Sequence, residues 1–244
     1  MKSTDYIRNK INKFPKGYIF TYKDFIADVE QKEAAIKFLN RLVASGKIGK
    51  LSKGRYYKPK ETVFGNLLPE QNQIVKDLLE KNGNLIGYIS GASFYNYAGF
   101  TTQVSNVIEI ARNDIRPPLQ RGIYQVRFFR QKNTITVSNI PLLRLLDVMR
   151  FIKKIPDSSF ELSVTRLTSL IKELSQEDKK TLIRLSLKYY PSVRALLGAL
   201  LENMKANKLD RELEKLKSSL NPISKYKIGI PSGILPTITH WNIL

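Results

Sequence analysis

Cysteine is absent from the 244 residues, and histidine occurs once, at His240. The first absence excludes disulfides and thiolate metal sites. The second leaves no imidazole cluster for a metal and no spare partner for a Ser–His or Cys–His catalytic pair. No apolar run approaches roughly 18 residues, so no transmembrane helix is expected. Met1-Lys2-Ser3-Thr4 opens into a polar helix with no apolar signal core behind it, which points to a cytoplasmic protein. Acidic side chains are also scarce: 21 Asp+Glu stand against 41 Lys+Arg, a net charge of +20. The imbalance is uneven, since residues 1–60 hold 15 basic and 5 acidic side chains. A field of that sign draws polyanions and makes association salt-dependent, because each neutralised phosphate releases condensed counterions. On charge alone, a surface that only aids solubility, or that meets anionic lipid, is the alternative.

Enzyme signatures are missing too. There is no GxxxxGK[ST], GxSxG or HExxH, the spacings that phosphate cradles, nucleophile elbows and zinc sites need. Glu109 and Asp114 are five apart with Arg112 between, a poor carboxylate pair for Mg²⁺. Asp147, Asp157 and Glu161 read as helix surface or caps. No catalytic residue, cofactor or metal site is therefore expected.

What is present is a patterned fold. The apolar content of 42%, with 12 Tyr and 11 Phe, is that of a folded chain rather than a basic tail. Ser3 suits an N-cap, and Tyr6, Ile7, Ile11 and Phe14 form a helical stripe ending at Pro15-Lys16-Gly17. Tyr18-Ile19-Phe20 is a short strand. Thr21 then caps a helix with Phe25, Ile26 and Val29 inward. The next helix runs from about Lys32 to Ser45, with Ala35, Ile36, Leu39, Leu42 and Val43 inward and Gly46 as terminator. Lys47 to Lys58 alternates around Ser52-Lys53-Gly54-Arg55, the mark of a hairpin. That order is a winged helix-turn-helix, whose last helix fits the major groove of duplex DNA. Its outward face carries Gln31, Lys32, Glu33, Lys37, Asn40 and Arg41, side chains able to reach base edges or phosphates. The cationic hairpin offers Lys50, Lys53, Arg55 and Lys58 to the minor groove or flanking phosphates.

Pro59 to Gly65 reads as a linker between a domain at 1–60 and a second at 66–244. In the second, Pro69 starts a helix with Ile74, Val75, Leu78 and Leu79 inward, stopped by Asn82-Gly83. Gly87 to Gly91 leads into a short helix ended by Gly99. Strands are expected at Val107–Ile110 and Tyr124–Phe129, with Ile135–Val137 as a possible partner of the latter. Thr101, Thr102 and Gln103 suit a hydrogen-bonded turn. From Pro141 the pattern is helical, roughly 141–153, 160–174, 176–189 and 192–218, the last one either continuous or broken. Leu196, Leu197, Leu200 and Leu201 suit the interior or an interface, and Lys172, Lys179, Lys180, Arg184, Lys188 and Arg194 suit solvated faces. The tail from about 221 has three prolines and little periodicity, with His240-Trp241 as an anchor. The fold class is thus α+β: an N-terminal winged helix, then a larger helix-rich domain with a small sheet.

A family resemblance rests on Leu39-Asn40-Arg41-Leu42, Gly46-Lys47-Ile48 and Lys53-Gly54-Arg55-Tyr56-Tyr57-Lys58-Pro59. It continues through Phe64-Gly65-Asn66-Leu67-Leu68-Pro69 and the run Tyr88 to Val104, which contains Gly99-Phe100-Thr101-Thr102-Gln103-Val104. Over about residues 15–130 the chain resembles AbiEi-type antitoxins of type IV toxin–antitoxin (abortive infection) systems in bacteria. The resemblance implies a winged helix that binds inverted repeats in its own promoter and represses it, with dimerisation possible on the DNA. It also implies a C-terminal domain opposing a nucleotidyltransferase-like toxin, with or without a stable complex. Family members often carry more Arg in the third helix than the single Arg41 here. A winged-helix regulator whose second domain senses a ligand or dimerises is the alternative.

Overall fold

The structure, a computed structural model, describes residues 3–25, 32–205 and 209–244. The chain divides into two compact units: Met1–Leu78 with Leu119–Gln125, and Leu79–Pro118 with Val126–Leu244. Both helices and small sheets are present throughout, so the α+β class holds.

In the first unit, α1 (Ser3–Lys13) puts Ile7 and Ile11 inward. Thr21 does act as an N-cap, in a reciprocal capping box with Asp24, but of a single 3₁₀ turn at Tyr22–Asp24. The expected inward residues Ile26 and Val29 lie outside the described residues. Helix α2 (Lys32–Ala44) buries Ala35, Phe38, Leu39 and Leu42. Phe38 joins the inward face, while Ile36 and Val43 are only partly covered. Strands β1 (Ile19–Phe20), β2 (Gly49–Ser52) and β3 (Arg55–Tyr57) form an antiparallel sheet in the order β1-β3-β2. Gly54, at the β2–β3 turn, has φ +74°, a conformation that favours glycine. Phe14, Phe20, Phe25 and Tyr56 pack as rings 5.4–6.3 Å apart, uniting sheet and helices in one core.

The expected linker is instead structured. Lys60–Thr62 (β4) pairs antiparallel with Gly65–Leu67 (β5). Its tip holds Val63 and Phe64, 94% and 97% exposed. The first unit also runs past residue 60 to Leu78 and takes in Leu119–Gln125, where β10 (Leu119–Arg121) turns through Gly122 into the start of β11 (Tyr124–Arg130). An ion-pair cluster explains this extension. Arg121, 6% exposed, donates to the Ile74 carbonyl at 2.6 Å and to both Asp77 oxygens at 2.5 and 2.8 Å. The helix expected after Pro69 is two short pieces, α3 (Gln71–Ile74) and α4 (Lys76–Leu79), broken at Val75.

In the second unit, Asn82 (φ +51°) and Gly83 (φ +77°) do not merely stop a helix. They turn a hairpin between β6 (Glu80–Lys81) and β7 (Asn84–Leu85), because two successive positive φ values match the twist of the flanking strands. Strand β8 (Gly87–Ser90) pairs antiparallel with β9 (Val107–Arg112), and β11 lies on the other side of β9. Ile135–Val137 is not the partner of β11, since Thr136 instead closes a turn with Asn139 that leads into a helix. Between β8 and β9 sits α5 (Gly91–Tyr97), where a Cβ on Gly91 would run into the Glu109 carboxylate that accepts from the Ala92 amide. The expected turn after Gly99 is present: Gln103 donates its amide to Thr101 Oγ1 at 3.1 Å.

Helices α6 (Ile140–Arg150), α7 (Phe160–Glu173), α8 (Gln176–Ser186), α9 (Pro191–Asn203) and α10 (Asp210–Ser218) build the main core. The expected long last helix is thus two, with α9 stopping before Lys205 at φ +52°. Leu196, Leu197, Leu200 and Leu201 are fully interior. The tail returns to this core. A 3₁₀ segment at Pro236–Trp241 lays Trp241 on Gly198, Trp241 Nε1 donates to Glu202 at 2.6 Å, and His240 Nδ1 meets the other Glu202 oxygen at 2.6 Å.

Candidate nucleic-acid interface and a buried polar network

An amphipathic helix with one face in the core must show the other to solvent. In α2 that outer face holds Lys32, Glu33, Lys37, Asn40 and Arg41, all exposed, while Gln31 lies outside the described residues. Lys32 Nζ sits 5.5 Å from the Tyr22 ring centre and the Arg41 guanidinium 5.6 Å from that of Phe38. Such cation–π contacts hold the stems while leaving the charges unneutralised. Among the described residues, none of Lys32, Lys37 and Arg41 pairs with a carboxylate.

The other sequence candidates divide. Lys50 and Lys53 are exposed on and beside β2. Asn40 is tied down, accepting the Tyr56 hydroxyl at 3.0 Å. Arg55 does not point from a free tip but donates to Asp77 at 2.7 Å. Lys58 donates to the carbonyls of Asn12 and Phe14 at 2.7 and 2.8 Å, satisfying the orphan carbonyls at the end of α1. Arg55 and Lys58 therefore act first as structural cations. Burial pushes the Asp77 carboxyl up, but hydrogen bonds and charges from Arg121 and Arg55 outweigh it and hold the group below the ordinary range.

Asp147, expected on a helix surface or as a cap, is completely buried. Its neighbours in α6, Leu145, Leu146, Val148 and Met149, are all interior, so that turn of the helix leaves no solvated side for it. That apolar flanking was the available signal. Tyr88 Oη and Ser90 Oγ donate to Oδ2 at 2.7 and 3.0 Å, and Tyr189 Oη donates to Oδ1 at 2.9 Å. Gln131 Nε2 donates to both tyrosine hydroxyls at 2.9 and 2.7 Å, and Gln131 Oε1 accepts from the amide and side chain of Asn133. Burial pushes Asp147 up to about 6 despite the opposing pull of its three donors and of Arg150. Burial, followed by the Asp147 charge, also raises the Tyr88 and Tyr189 hydroxyls.

The remaining acidic candidates are occupied. Glu109 accepts the Ala92 amide, and Asp114 is bound by Arg112 at 2.7 and 3.0 Å, chiefly through those hydrogen bonds held below its ordinary range. Asp157 and Glu161 are exposed, and α7 is capped by Ser159. Among the described residues, no three His, Asp or Glu side chains converge on a metal position. No helix among them is long and apolar enough to cross a membrane.

Residues 6–134 match the model of a family described as "Family of unknown function (DUF6088)". No curated protein sequence matches the chain. Among solved structures, the crystal structure of the RV2827C protein from Mycobacterium tuberculosis is similar over 100% of this chain and 91% of that one. The TM-score is 0.64 at 13% identity, a likeness of fold. The family match spans more than half of the sequence, and the chain belongs to that family.

Proposed function

We propose that this DUF6088 family member is a sequence-specific DNA-binding protein. Its first unit is read as a winged helix-turn-helix with α2 as the recognition helix and the β2–β3 hairpin as the wing. The observation that carries this reading is the outer face of α2, where exposed Lys32, Lys37 and Arg41 lack carboxylate partners among the described residues. An antiparallel hairpin bearing Lys50 and Lys53 follows directly. An uncompensated cationic helix face beside a cationic ribbon is what a polyphosphate duplex neutralises. On this reading Lys32, Glu33, Lys37 and Arg41 would meet the groove and Lys50 and Lys53 its flank.

The resemblance to AbiEi-type antitoxins extends the proposal. The DNA would be inverted repeats in the chain's own promoter, bound for autorepression. The second unit would oppose a nucleotidyltransferase-like toxin. Gel shifts of the full chain on its own promoter, over a salt series, test the first part. Lys37→Ala and Arg41→Ala should each lower the salt slope by about 0.9 if the lost contact is to a phosphate. Unchanged affinity and slope in both variants rejects α2 as the DNA-contacting helix. Co-expression of the full chain with the product of a neighbouring nucleotidyltransferase-like gene tests the second, and growth no better than with toxin alone rejects it.

A further inference from the structure

The second unit contains a small cleft of about 90 Å³. Ligands of drug size fill roughly 300–1,000 Å³, so this space admits a single compact group. Four cations line it, Arg130, Lys132, Arg150 and Lys188, together with Tyr189 and Tyr190 and no acidic side chain. Among the described residues, none of the four cations pairs with a carboxylate. Like charges gathered around one cavity repel, and an entering anion relieves that repulsion.

Part of the wall is set in advance. Arg150, the last residue of α6, lies with its guanidinium 4.9–5.4 Å from the ring centres of Phe151, Tyr190 and Phe129, and donates to the Arg130 carbonyl at 3.2 Å. Asn113 Nδ2 bridges the carbonyls of Gln131 and Asn133 at 2.7 and 2.8 Å, fixing the loop that follows Arg130 at the end of β11 and carries Lys132. Gln131, 3% exposed, lies between the Tyr88 and Tyr189 hydroxyls. Asp147 stands behind Tyr189 rather than in the cleft. Of the four cations Arg150 is held in place, while the exposed side chains of Arg130, Lys132 and Lys188 are free to close on an entering tetrahedral oxyanion.

We propose that this cleft is a phosphate-binding site, separate from the α2 face, that takes one phosphate group. Inorganic phosphate titrated calorimetrically into the full chain at fixed ionic strength should show one saturable site, competed by a nucleoside 5′-monophosphate. Arg130→Ala with Lys188→Ala should weaken it about tenfold or more, as loss of hydrogen bonds to a charged group does. Lys172→Ala with Lys225→Ala, which removes equal charge outside the cleft, should leave it unchanged. Arg130→Gln with Lys188→Gln should repeat the loss with the side-chain bulk retained. A dephosphorylated single-stranded oligonucleotide weakened only by the cleft variants assigns the phosphate to a nucleic-acid backbone. An effect confined to the monophosphate assigns it to a free phosphoester. No saturable binding, or equal losses in cleft and control variants, overturns the site.

Discussion

Asp147→Asn should become less damaging as pH rises from about 4 to 7, by an amount the structure sets. The Asp147 carboxyl titrates at about 6 in the folded chain against an ordinary 3.8. The native state thus holds this proton more tightly than the unfolded chain does. Its favourable contribution is complete below about 3.8 and is lost as pH rises through about 6. A difference near two pH units corresponds to roughly 3 kcal/mol. Asparagine cannot titrate, so the variant's stability lacks this component. Its shape is tolerable: with Nδ2 toward Tyr189, that hydroxyl can accept and turn its own proton to the Leu143 carbonyl, 3.4 Å away. Urea unfolding followed by fluorescence of Trp241, the single tryptophan and a core residue of the second unit, reads the difference. Asp77, Asp114 and Glu202 titrate below their ordinary ranges and are common to both proteins, so their contributions cancel. A wild-type-minus-variant gap constant within about 0.5 kcal/mol across that span, the usual additivity scatter, refutes a raised Asp147.

Gly198→Ala forces a methyl into the Trp241 ring and should cost about 1–3 kcal/mol, as overpacking does; a red-shifted Trp241 emission would show the ring displaced. Arg121→Ala leaves the Ile74 carbonyl and one face of Asp77 without their donor and should cost roughly 1–3 kcal/mol. Because Asp77 is held low, that loss should be largest at neutral pH and shrink as pH falls below the ordinary carboxylate range, seen in acid titration of melting temperature. Lys58→Ala should lower stability by about 1 kcal/mol while moving the DNA salt slope less than Lys37→Ala, because Lys58 is committed to two carbonyls; equal changes in slope would place Lys58 on phosphate.

Much of the element order is legible because local chemistry and tertiary outcome agree. Asn82-Gly83 marks a chain reversal, Gly91 and Gly99 adopt positive φ, and the His240-Trp241 anchor is seated on Glu202. Most of the misses share one cause, pairing across long sequence distances; the local hairpin at 60–67 is the exception. Lys53-Gly54-Arg55 reads as a free cationic tip only until Asp77, 22 residues on, claims the arginine. Pro59–Gly65 looks like a linker because Gly and Pro signal interruption, yet residues 60–62 and 65–67 pair with each other. Asp147 appears to be one acidic residue on a helix, and only the fold brings Tyr88, Ser90 and Tyr189 to it from 42–59 residues away. The cationic cleft escaped for the same reason, since residues 130–132, 150 and 188 share no motif.

The Arg121–Asp77 clasp has a consequence for the chain as it is made. A nascent polypeptide released through residue 78 still lacks the guanidinium that binds Ile74 and Asp77, which arrives some forty residues later. Completion of the N-terminal unit therefore waits until the ribosome has delivered Leu119–Gln125. No single cut separates the molecule into two intact pieces.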